Sequence, residues 1–349
     1  MNNNELTVID LFCGCGGLSL GFEKAGYHIL LGIDNWKDAL ITFEKNHKNS
    51  NTLCADLSEL SALDVEKEIC GKKVDVIIGG PPCQGFSIAG KRIVEDDRNI
   101  LYKSFVRMVE YFKPRAFVME NVPTILTIGQ GVVRNSIVSD FESLGYHVVC
   151  KVLTASNYGV PQNRRRAIFV GLLDELFDFN IPEVEHKVTC EEALSDLPEG
   201  SLEDGAGYPI GSNSVYQRLM RSNSNGVYNH TITEHDEKTK TVISMVPDGG
   251  NSLDLPEEMR HIRNVHIAWT RLNSKKPSIT IDTGHRHHFH YCWNRVPTVR
   301  ESARIQSFPD DFIFLGSKTS QYKQVGNAVP PIMAKAIAEH LKKNLWLKK

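Results

Sequence analysis

The sequence predicts an α/β fold, in which a doubly wound, Rossmann-like sheet carries a second, smaller and irregular domain. Over the first 171 residues, a short β-like run is repeatedly followed by an amphipathic stretch of helical length, which is typical of βαβ units. Beyond about residue 172, prolines interrupt the pattern, and Gly, Asn and Ser replace helical periodicity. We therefore predict domains at 1–175 and 176–315, and a C-terminal segment at 316–349 that returns to the first domain.

Seven runs of residues are predicted as the strands of a parallel sheet. Most are apolar throughout, as expected of strands that helices cover on both faces. The runs are 7–11, 29–34, 52–55, 74–78, 116–119, 148–153 and 167–170. In such sheets, ligands bind beyond the carboxyl ends of the strands, so the residues that follow these runs are the first candidates for a functional site.

Composition and charge exclude several classes of protein. The chain has 349 residues, of which 41% are hydrophobic, and it contains no run of the roughly 18 apolar residues that a membrane helix needs. No signal peptide is recognisable, so the cytoplasm is the expected compartment. Eight cysteines without CxxC spacing indicate reduced thiols. The net charge of −2 gives no bulk attraction to nucleic acid, so any such contact must come from local Lys and Arg clusters.

A glycine-rich turn follows the first predicted strand. Gly14, Gly16 and Gly17 lead into a predicted helix, where the backbone can approach a ligand closely at a helix N-terminus. The dinucleotide-binding fingerprint requires a glycine three residues after Gly16, and this chain has Ser19 there. The turn therefore suits a nucleotide-like ligand, but not the usual pyrophosphate.

Acidic residues follow the second and third predicted strands. Asp34 and Asp56 stand where a carboxylate can accept hydrogen bonds from ribose hydroxyls or from an adenine amino group. Taken alone, however, an acid at the end of a strand is more often a helix cap.

A cysteine follows the fourth predicted strand in the segment GGPPCQGFS, residues 79–87. The Pro-Pro pair restricts φ and presents Cys83 on an extended loop toward the ligand crevice. A lone cysteine is more often an inert, buried thiol. Two further segments favour a reactive one: Glu120 at the end of the fifth strand, and Arg164 and Arg166 before the seventh. Arginines two residues apart on extended backbone point the same way, although a solvated basic loop closed by a salt bridge is the alternative.

In order and spacing, these segments resemble the motif series of the cytosine-5 DNA methyltransferase family, of the bacterial restriction-modification kind. The series continues with RESARIQSFPD at 300–310 and QVGNAVPP at 324–331. The resemblance covers residues 6–171 and about 296–341. It implies that 1–175 is the catalytic and cofactor-binding domain, with an S-adenosylmethionine-dependent methyltransferase sheet. It also implies that 176–315 is the target-recognition domain.

The resemblance also implies a mechanism and its residues. Cys83 would add to carbon 6 of a cytosine turned out of the duplex. Glu120 would bond the N3 and N4 edge of the base, and Arg166 would contact its carbonyl. Arg164 would order the catalytic loop and hold Cys83 in an anionic environment. S-adenosylmethionine is the implied methyl donor, and no metal is expected.

Cofactor contacts follow from the same matching. Phe12 would pack on adenine, Asp34 would bind the ribose hydroxyls and Asp56 the adenine amino group. The further cofactor positions are Gly14, Gly16, Gly17, Asn35, Leu57, Pro82, Leu101 and Asn327. Asn35 stands where the family often has an aromatic residue, and Trp36 follows it, so the residue that stacks on adenine at that edge stays open.

Candidate DNA contacts lie in two regions. The loop at 84–98 is the expected lid over the flipped base, and Ser87, Lys91 and Arg92 in it are candidates for phosphate contacts. In the region that the resemblance does not cover, Arg271 could read a guanine or cap the domain junction. Arg286 and the histidines beside it could contact a groove or belong to an ordinary structured loop. No acid or cysteine pair completes a metal site there.

Other functions remain as alternatives. They are an RNA cytosine-5 methyltransferase, a catalytically inactive duplex-binding protein, a nicotinamide-dependent oxidoreductase and an exocyclic-amine methyltransferase. The span of more than 120 residues between 171 and 296 favours a module that reads DNA sequence. The expected partners are double-stranded DNA and a restriction endonuclease that acts separately. No membrane association and a monomeric enzyme are expected.

Overall fold

The computed structural model describes residues 5–82, 100–260, 269–284 and 287–346. Five predicted site residues lie outside the described residues: Cys83, Ser87, Lys91, Arg92 and Arg286. The chain forms two compact units. Unit 1 comprises Met1–Thr154, Arg165–Pro182 and Met333–Lys349, and unit 2 comprises Ala155–Arg164 and Glu183–Ile332. Among the described residues, no helix is long and apolar enough to cross a membrane.

The unit boundaries differ from the predicted ones at 175 and 315. The segment Ala155–Arg164 belongs to unit 2 because its backbone pairs with a distant strand-like segment there. Asn163 donates its N–H to the carbonyl of Ser278 at 2.7 Å, and Ser278 donates to the carbonyl of Pro161 at 2.9 Å. Pairing over such a sequence separation leaves no local signal.

Seven strands build the sheet of unit 1, at all seven predicted places. They are β1 (Leu6–Leu11), β2 (Tyr27–Asp34), β3 (Asn51–Cys54), β4 (Val76–Gly79), β5 (Ala116–Asn121), β6 (His147–Thr154) and β7 (Arg165–Leu172). The strand order is β3-β2-β1-β4-β5-β7-β6. The prediction of a parallel sheet is wrong for β7, which runs antiparallel to both β5 and β6. A short connection without a crossover helix joins β6 to β7, whereas parallel neighbours need a longer one.

In the described part of the chain, α-helices follow the strands β1 to β5 in turn: α1 (Gly17–Lys24), α2 (Lys37–Asn46), α3 (Ala62–Glu68), α4 (Ile100–Phe112) and α5 (Val132–Glu142). Aromatic rings from α4, α5 and β5 form the centre of the core. Phe117 stacks on Phe141 with ring centroids 4.0 Å apart, and Phe105 meets both rings edge-on. The sheet is thus packed on this aromatic core beneath β5, whose penultimate residue is Glu120.

Unit 2 has little regular structure. It contains α6 (Cys190–Leu194), α7 (Val215–Arg221), α8 (Glu237–Ser244), α9 (Glu257–Arg260), α10 (Val299–Ile305) and α11 (Lys318–Asn327), and the two-residue parallel strands β8 (Thr270–Arg271) and β9 (His288–Phe289). Helix α12 (Pro331–Trp346) then completes the chain, and most of it belongs to unit 1. Short helices gain little from propagation, so side-chain caps matter more. Thr189, Ser214 and Thr298 each form a capping box.

Buried arginines hold the irregular segments of unit 2 together. The Arg304 guanidinium binds the carboxylate of Asp310 at 2.6 and 2.7 Å and that of Asp196 at 2.9 Å. Burial alone would raise the pKa of Asp310, but the charge and hydrogen bonds of Arg304, together with the charge of Arg300 and the hydrogen bond from Tyr208, lower it below the ordinary value. Arg300 donates to the carbonyls of Tyr228, Pro309 and Phe312. These guanidinium groups supply hydrogen-bond donors to loop carbonyls that no sheet satisfies.

Candidate active site

A glycine turn and an acidic residue meet at the carboxyl edge of β1 and β2. Gly14 donates its N–H to Oδ2 of Asp34 at 2.8 Å, and Trp36 donates to Oδ1 at 2.9 Å. Gly16, which precedes α1, has a φ of 92°, in the left-handed region that favours glycine. Phe12 is partly exposed and packs against the core beside this turn. The predicted cofactor residues of β1 and β2 are therefore brought together.

The Asp34 carboxylate is suited to a polyhydroxylated ligand. Burial raises its pKa from the ordinary value, although the N–H groups of Trp36 and Gly14 oppose the shift. Each carboxylate oxygen can accept more than one hydrogen bond, so the two backbone donors leave acceptor capacity for ribose hydroxyls. The donor and acceptor set at this edge fits the nucleoside of S-adenosylmethionine.

Asp10 is a buried acid that the sequence did not single out. Its Oδ2 accepts a hydrogen bond from Ser19 Oγ at 2.6 Å, which ties the end of β1 to the first turn of α1. Burial raises the pKa of Asp10 to about 8. A charged residue within an apolar strand was the available signal, and it indicates a fixed support beneath the glycine turn.

The predicted cofactor residues after β3, Asp56 and Leu57, form hydrogen bonds with other residues of the protein. Asp56 is exposed, and its Oδ1 accepts bonds from the N–H and Oγ of Ser58, which lower its pKa. This is a local turn bond and not a helix cap, because α3 begins at Ala62 with Ser61 as its N-cap. Leu57 is packed in the core, and its carbonyl accepts from Arg107 at 2.8 Å.

The other predicted cofactor residues lie on separate elements. In unit 1, Gly17 is the buried first residue of α1, Asn35 and Pro82 are exposed, and Leu101 is half-buried on α4. In unit 2, Asn327 is the exposed last residue of α11.

Glu120 and Arg166 form an ion pair at the ends of neighbouring strands. Arg166 Nε lies 2.7 Å from Glu120 Oε1, and the two side chains are only 14% and 12% exposed. The antiparallel register of β5 and β7 places them side by side, since Glu120 pairs with Ile168. The salt bridge that the sequence left as an alternative is present, but in a largely enclosed position and not in a solvated loop.

The segment that leads to Cys83 is held beside this pair. A Cβ atom built on Gly80 would lie 3.1 Å from Glu120 Oε2, so the carboxylate closely approaches the backbone three residues before Cys83. Asn121, which is buried, donates from Nδ2 to the carbonyl of Pro81 at 2.9 Å. Asn121 was not singled out from the sequence, and the structure makes it a positioning residue for the Pro-Pro segment.

Arg164 has a different environment from Arg166. It is only 1% exposed, and within unit 2 it donates to the carbonyls of Ile281, Gly326 and Asn327 at 3.3, 2.9 and 3.4 Å. Two of these acceptors belong to the last turn of α11, where a cation is favourable. Arg164 thereby holds the first half of the QVGNAVPP segment, at Gly326 and Asn327.

Gln162 extends this arrangement and was not predicted. Its Oε1 accepts from the N–H of Ile281 at 3.0 Å, and its Nε2 donates to the side chain of Gln306. Gln306 in turn donates to the carbonyl of Ala328 at 2.6 Å. Two of the motifs that carry the family resemblance are therefore joined by buried hydrogen bonds inside unit 2.

The expectation that Arg271 reads a base is corrected by its position. It is 5% exposed, and all five of its guanidinium N–H groups have acceptors within unit 2. The acceptors are the carbonyls of Ile243, Val246, His290 and Trp293 and the side chain of Asn294. No donor of Arg271 is left for a guanine.

Two histidines of the 287–290 stretch also lie in the interior. His290 is buried and accepts at Nδ1 from the N–H groups of Cys292 and Trp293, each at 3.1 Å. Burial lowers the pKa of His290 to about 4, and its Nε2 lies 3.7 Å from Glu301. His288 is buried on β9. His288 and His290 therefore belong to an ordinary structured segment, which was the alternative to contact with a DNA groove.

The mixed seven-stranded sheet, with a glycine turn after β1 and an acidic residue after β2, defines a Rossmann-like methyltransferase. The model of the C-5 cytosine-specific DNA methylase family matches residues 6–343, and the chain belongs to this family. It is a DNA cytosine-5 methyltransferase, with S-adenosylmethionine as cofactor and DNA as substrate.

Several known proteins are similar to it. The type II methyltransferase M1.HphI of Haemophilus parahaemolyticus is 43% identical over 340 residues, which cover 96% of this chain and 86% of that protein. The type II methyltransferase M.DdeI of Desulfomicrobium norvegicum is 38% identical, covering 96% and 88%. A crystal structure assigned as a prophage-encoded DNA modification methyltransferase of E. coli superposes with a TM-score of 0.82 at 29% identity, covering 98% and 99%.

Proposed function

We propose that this enzyme methylates carbon 5 of cytosine within one short sequence of duplex DNA, through a covalent adduct with Cys83. In the cell it protects host DNA within a restriction-modification system, as the type II names of its relatives suggest. The observation that carries the proposal is the enclosed Glu120–Arg166 pair beside Gly80 and Pro81, the segment that leads to Cys83.

The chemistry explains why a nucleophile is needed. Carbon 5 of cytosine is too weakly nucleophilic to take a methyl group directly. When the Cys83 thiolate adds to carbon 6, a sulfur–carbon bond forms and the electron pair of the 5,6 double bond moves onto carbon 5 and the ring. S-adenosylmethionine, when bound, supplies an electrophilic methyl group. Loss of the carbon 5 proton and elimination of the Cys83 thiolate then restore the aromatic ring and the enzyme.

Glu120 and Arg166 would stabilise the adduct. Glu120 bonds the N3 and N4 edge of the flipped cytosine, where charge changes as the thiolate adds, and Arg166 donates to the base carbonyl. Their mutual ion pair orients both groups before the base arrives. Arg164 acts as a positioning residue for the segment around Asn327, and by the family resemblance it also orders the loop that contains Cys83.

The cofactor would be held by residues at the carboxyl edge of the sheet. Asp34 receives the ribose hydroxyls, Phe12 packs on adenine and Asp56 accepts from the adenine amino group. The turn from Gly14 to Gly17 admits the methionine part closely. The other cofactor positions proposed are Asn35, Leu57, Pro82, Leu101 and Asn327. No metal is required by this chemistry.

Unit 2 would read the DNA sequence. It contains most of the region between the two blocks of family motifs. Candidate DNA contacts outside the described residues are Ser87, Lys91, Arg92 and Arg286. We further propose that the enzyme acts as a monomer in the cytoplasm and that a cognate restriction endonuclease acts separately. Methylating one strand at a time requires no dimer symmetry.

The test is base-resolution mapping of 5-methylcytosine in plasmid DNA from cells that express the protein. Expressed Cys83→Ser and Glu120→Gln variants serve as comparisons. We expect methylation at one short motif with the natural chain, none with Cys83→Ser and incomplete methylation with Glu120→Gln. Full methylation by Cys83→Ser would show that Cys83 is not the nucleophile. If plasmid DNA from cells that express the natural chain carries no 5-methylcytosine, the proposal is replaced by methylation of RNA or by catalytic inactivity.

A further inference from the structure

The glycine turn of unit 1 rests on a buried histidine. A Cβ atom built on Gly16 would lie 2.1 Å from His47 Nε2 and 2.8 Å from Phe43 Cδ2. No side chain fits at that distance, so the imidazole edge lies directly against the backbone of the turn. The His47 side chain is fully buried. The contact therefore requires glycine at position 16 for space, in addition to the left-handed φ of 92°.

The same imidazole is bonded near the other end of α1. His47 Nδ1 lies 2.8 Å from Oε2 of Glu23, which is the penultimate residue of the helix. Ser50 Oγ lies 3.4 Å from the second oxygen of Glu23. A single side chain thus touches the residue that precedes α1 and a residue in its last turn.

His47 is itself fixed by α2. Its backbone N–H bonds the carbonyl of Phe43 at 2.8 Å, at the C-terminus of that helix. Its ring packs on the Phe43 ring with centroids 4.1 Å apart. Phe43 also fills the space over Gly32 of β2, where an added Cβ atom would lie 2.7 Å from its ring. The imidazole therefore transmits the position of α2 and β2 to the glycine turn.

We propose that His47 is a positioning residue for the cofactor turn, held in orientation by Glu23 and acting through its contact with Gly16. The inference rests on the proposed function in one respect, namely that the turn from Gly14 to Gly17 receives S-adenosylmethionine. Without the imidazole, the turn loses its support from below, and the backbone groups that approach the cofactor lose their fixed positions. His47 contributes to cofactor affinity without touching the reacting base.

The direct test is a double-mutant cycle between Gly16→Ala and His47→Ala. The quantity measured is the dissociation constant of S-adenosylhomocysteine, by isothermal titration calorimetry. In the natural background, the new methyl group collides with the imidazole, and we expect Gly16→Ala to weaken binding by about a hundredfold. In the His47→Ala background the 2.1 Å collision is removed, and only the 2.8 Å approach to Phe43 Cδ2 and the φ strain remain. The same change should then cost about tenfold or less. An equal cost in both backgrounds would overturn the inference.

Further variants separate positioning from folding. His47→Ala alone should weaken S-adenosylhomocysteine binding by about tenfold, while the rate at saturating cofactor falls much less. Glu23→Gln keeps an acceptor for the imidazole and should bind almost as the natural chain does, whereas Glu23→Ala should not. His147→Ala, on the exposed end of β6, is the matched control and should change nothing.

The outcomes distinguish this inference from the proposed function. If the natural chain binds no S-adenosylhomocysteine, the assignment of the turn fails. If it binds and folded His47→Ala and Glu23→Ala bind equally well, only the positioning role fails. If His47→Ala does not fold, the dissociation constant of S-adenosylhomocysteine is measured on Glu23→Ala and on His47→Phe, which retains an aromatic ring without the bond to Glu23. Weakened binding by these variants supports the positioning role, and binding as tight as that of the natural chain overturns it.

Discussion

Replacing Arg271 by alanine should destabilise unit 2 and leave no specific defect in DNA binding. The change removes five buried hydrogen bonds, two of them to the carbonyls of Ile243 and Val246 at the C-terminal end of α8. Orphaned buried acceptors cost about 1–3 kcal/mol each, but entering water satisfies some of them. We therefore expect a loss of about 3–5 kcal/mol in the free energy of unfolding, as for other broken buried charge interactions. Arg271→Lys keeps the charge without the planar fork and should recover less than half of the loss.

Tryptophan fluorescence during urea unfolding measures this effect locally. Trp293 supplies one of the carbonyl acceptors of Arg271, and Trp269 packs against Phe289 with ring centroids 5.5 Å apart. Arg218→Ala, on the exposed face of α7, is the matched control and should leave the midpoint in place.

Anisotropy titration of folded protein with labelled duplex DNA gives the second measurement. A lost guanine contact would cost about 1–3 kcal/mol of DNA affinity at unchanged stability. An unchanged urea midpoint together with such a loss of affinity would refute the structural role of Arg271.

Two further predictions follow from buried groups. Asn121→Ala removes the bond to the carbonyl of Pro81. It should lower kcat by about tenfold or more while the affinity for S-adenosylhomocysteine stays unchanged. Rapid-quench assays of methyl transfer measure kcat and calorimetry measures the affinity, and an unaltered kcat would contradict the positioning role of Asn121. His290 has its pKa lowered to about 4 by burial, so between its ordinary value of 6.5 and 4 the unfolded chain takes up a proton that the folded chain does not. Stability should therefore fall as the pH falls through that window. Urea midpoints at pH 7, 5.5 and 4.5 should show a flatter dependence for His290→Asn, and equal slopes would show that other groups carry it.

The strands of unit 1 were predictable because most of them are predominantly apolar runs bounded by polar or small residues. The direction of β7 was not, since it depends on the connection to β6 and on pairing with β5, and neither leaves a local pattern. The glycine turn, Asp34 and Glu120 could be singled out because small or acidic residues at the ends of apolar runs stand out, and Arg166 because it directly precedes such a run.

Buried polar residues account for most of what sequence reasoning did not identify. Arg271 stands near a strand-like segment and looks like a base-reading residue, because the carbonyls that bind it lie 19 to 28 positions away along the chain. Gln162 and Asn121 have partners 119 and 40 positions away. A side chain that satisfies a distant backbone cannot be told from a surface one until the fold brings the two together.

The discontinuity of unit 2, the unit proposed to read the DNA sequence, limits how new specificities could arise by recombination. A gene exchange that replaced only Glu183–Ile332 would leave Gln162 and Arg164 facing hydrogen-bond partners inherited from another parent. Those partners are the N–H of Ile281 for Gln162 and the carbonyl of Gly326 for Arg164, so an exchange is tolerated most readily when its crossover points fall inside Glu183–Ile332 and spare these two residues. Chimeric enzymes should therefore inherit function when the ten residues from Ala155 to Arg164 and their partners descend from a single parent.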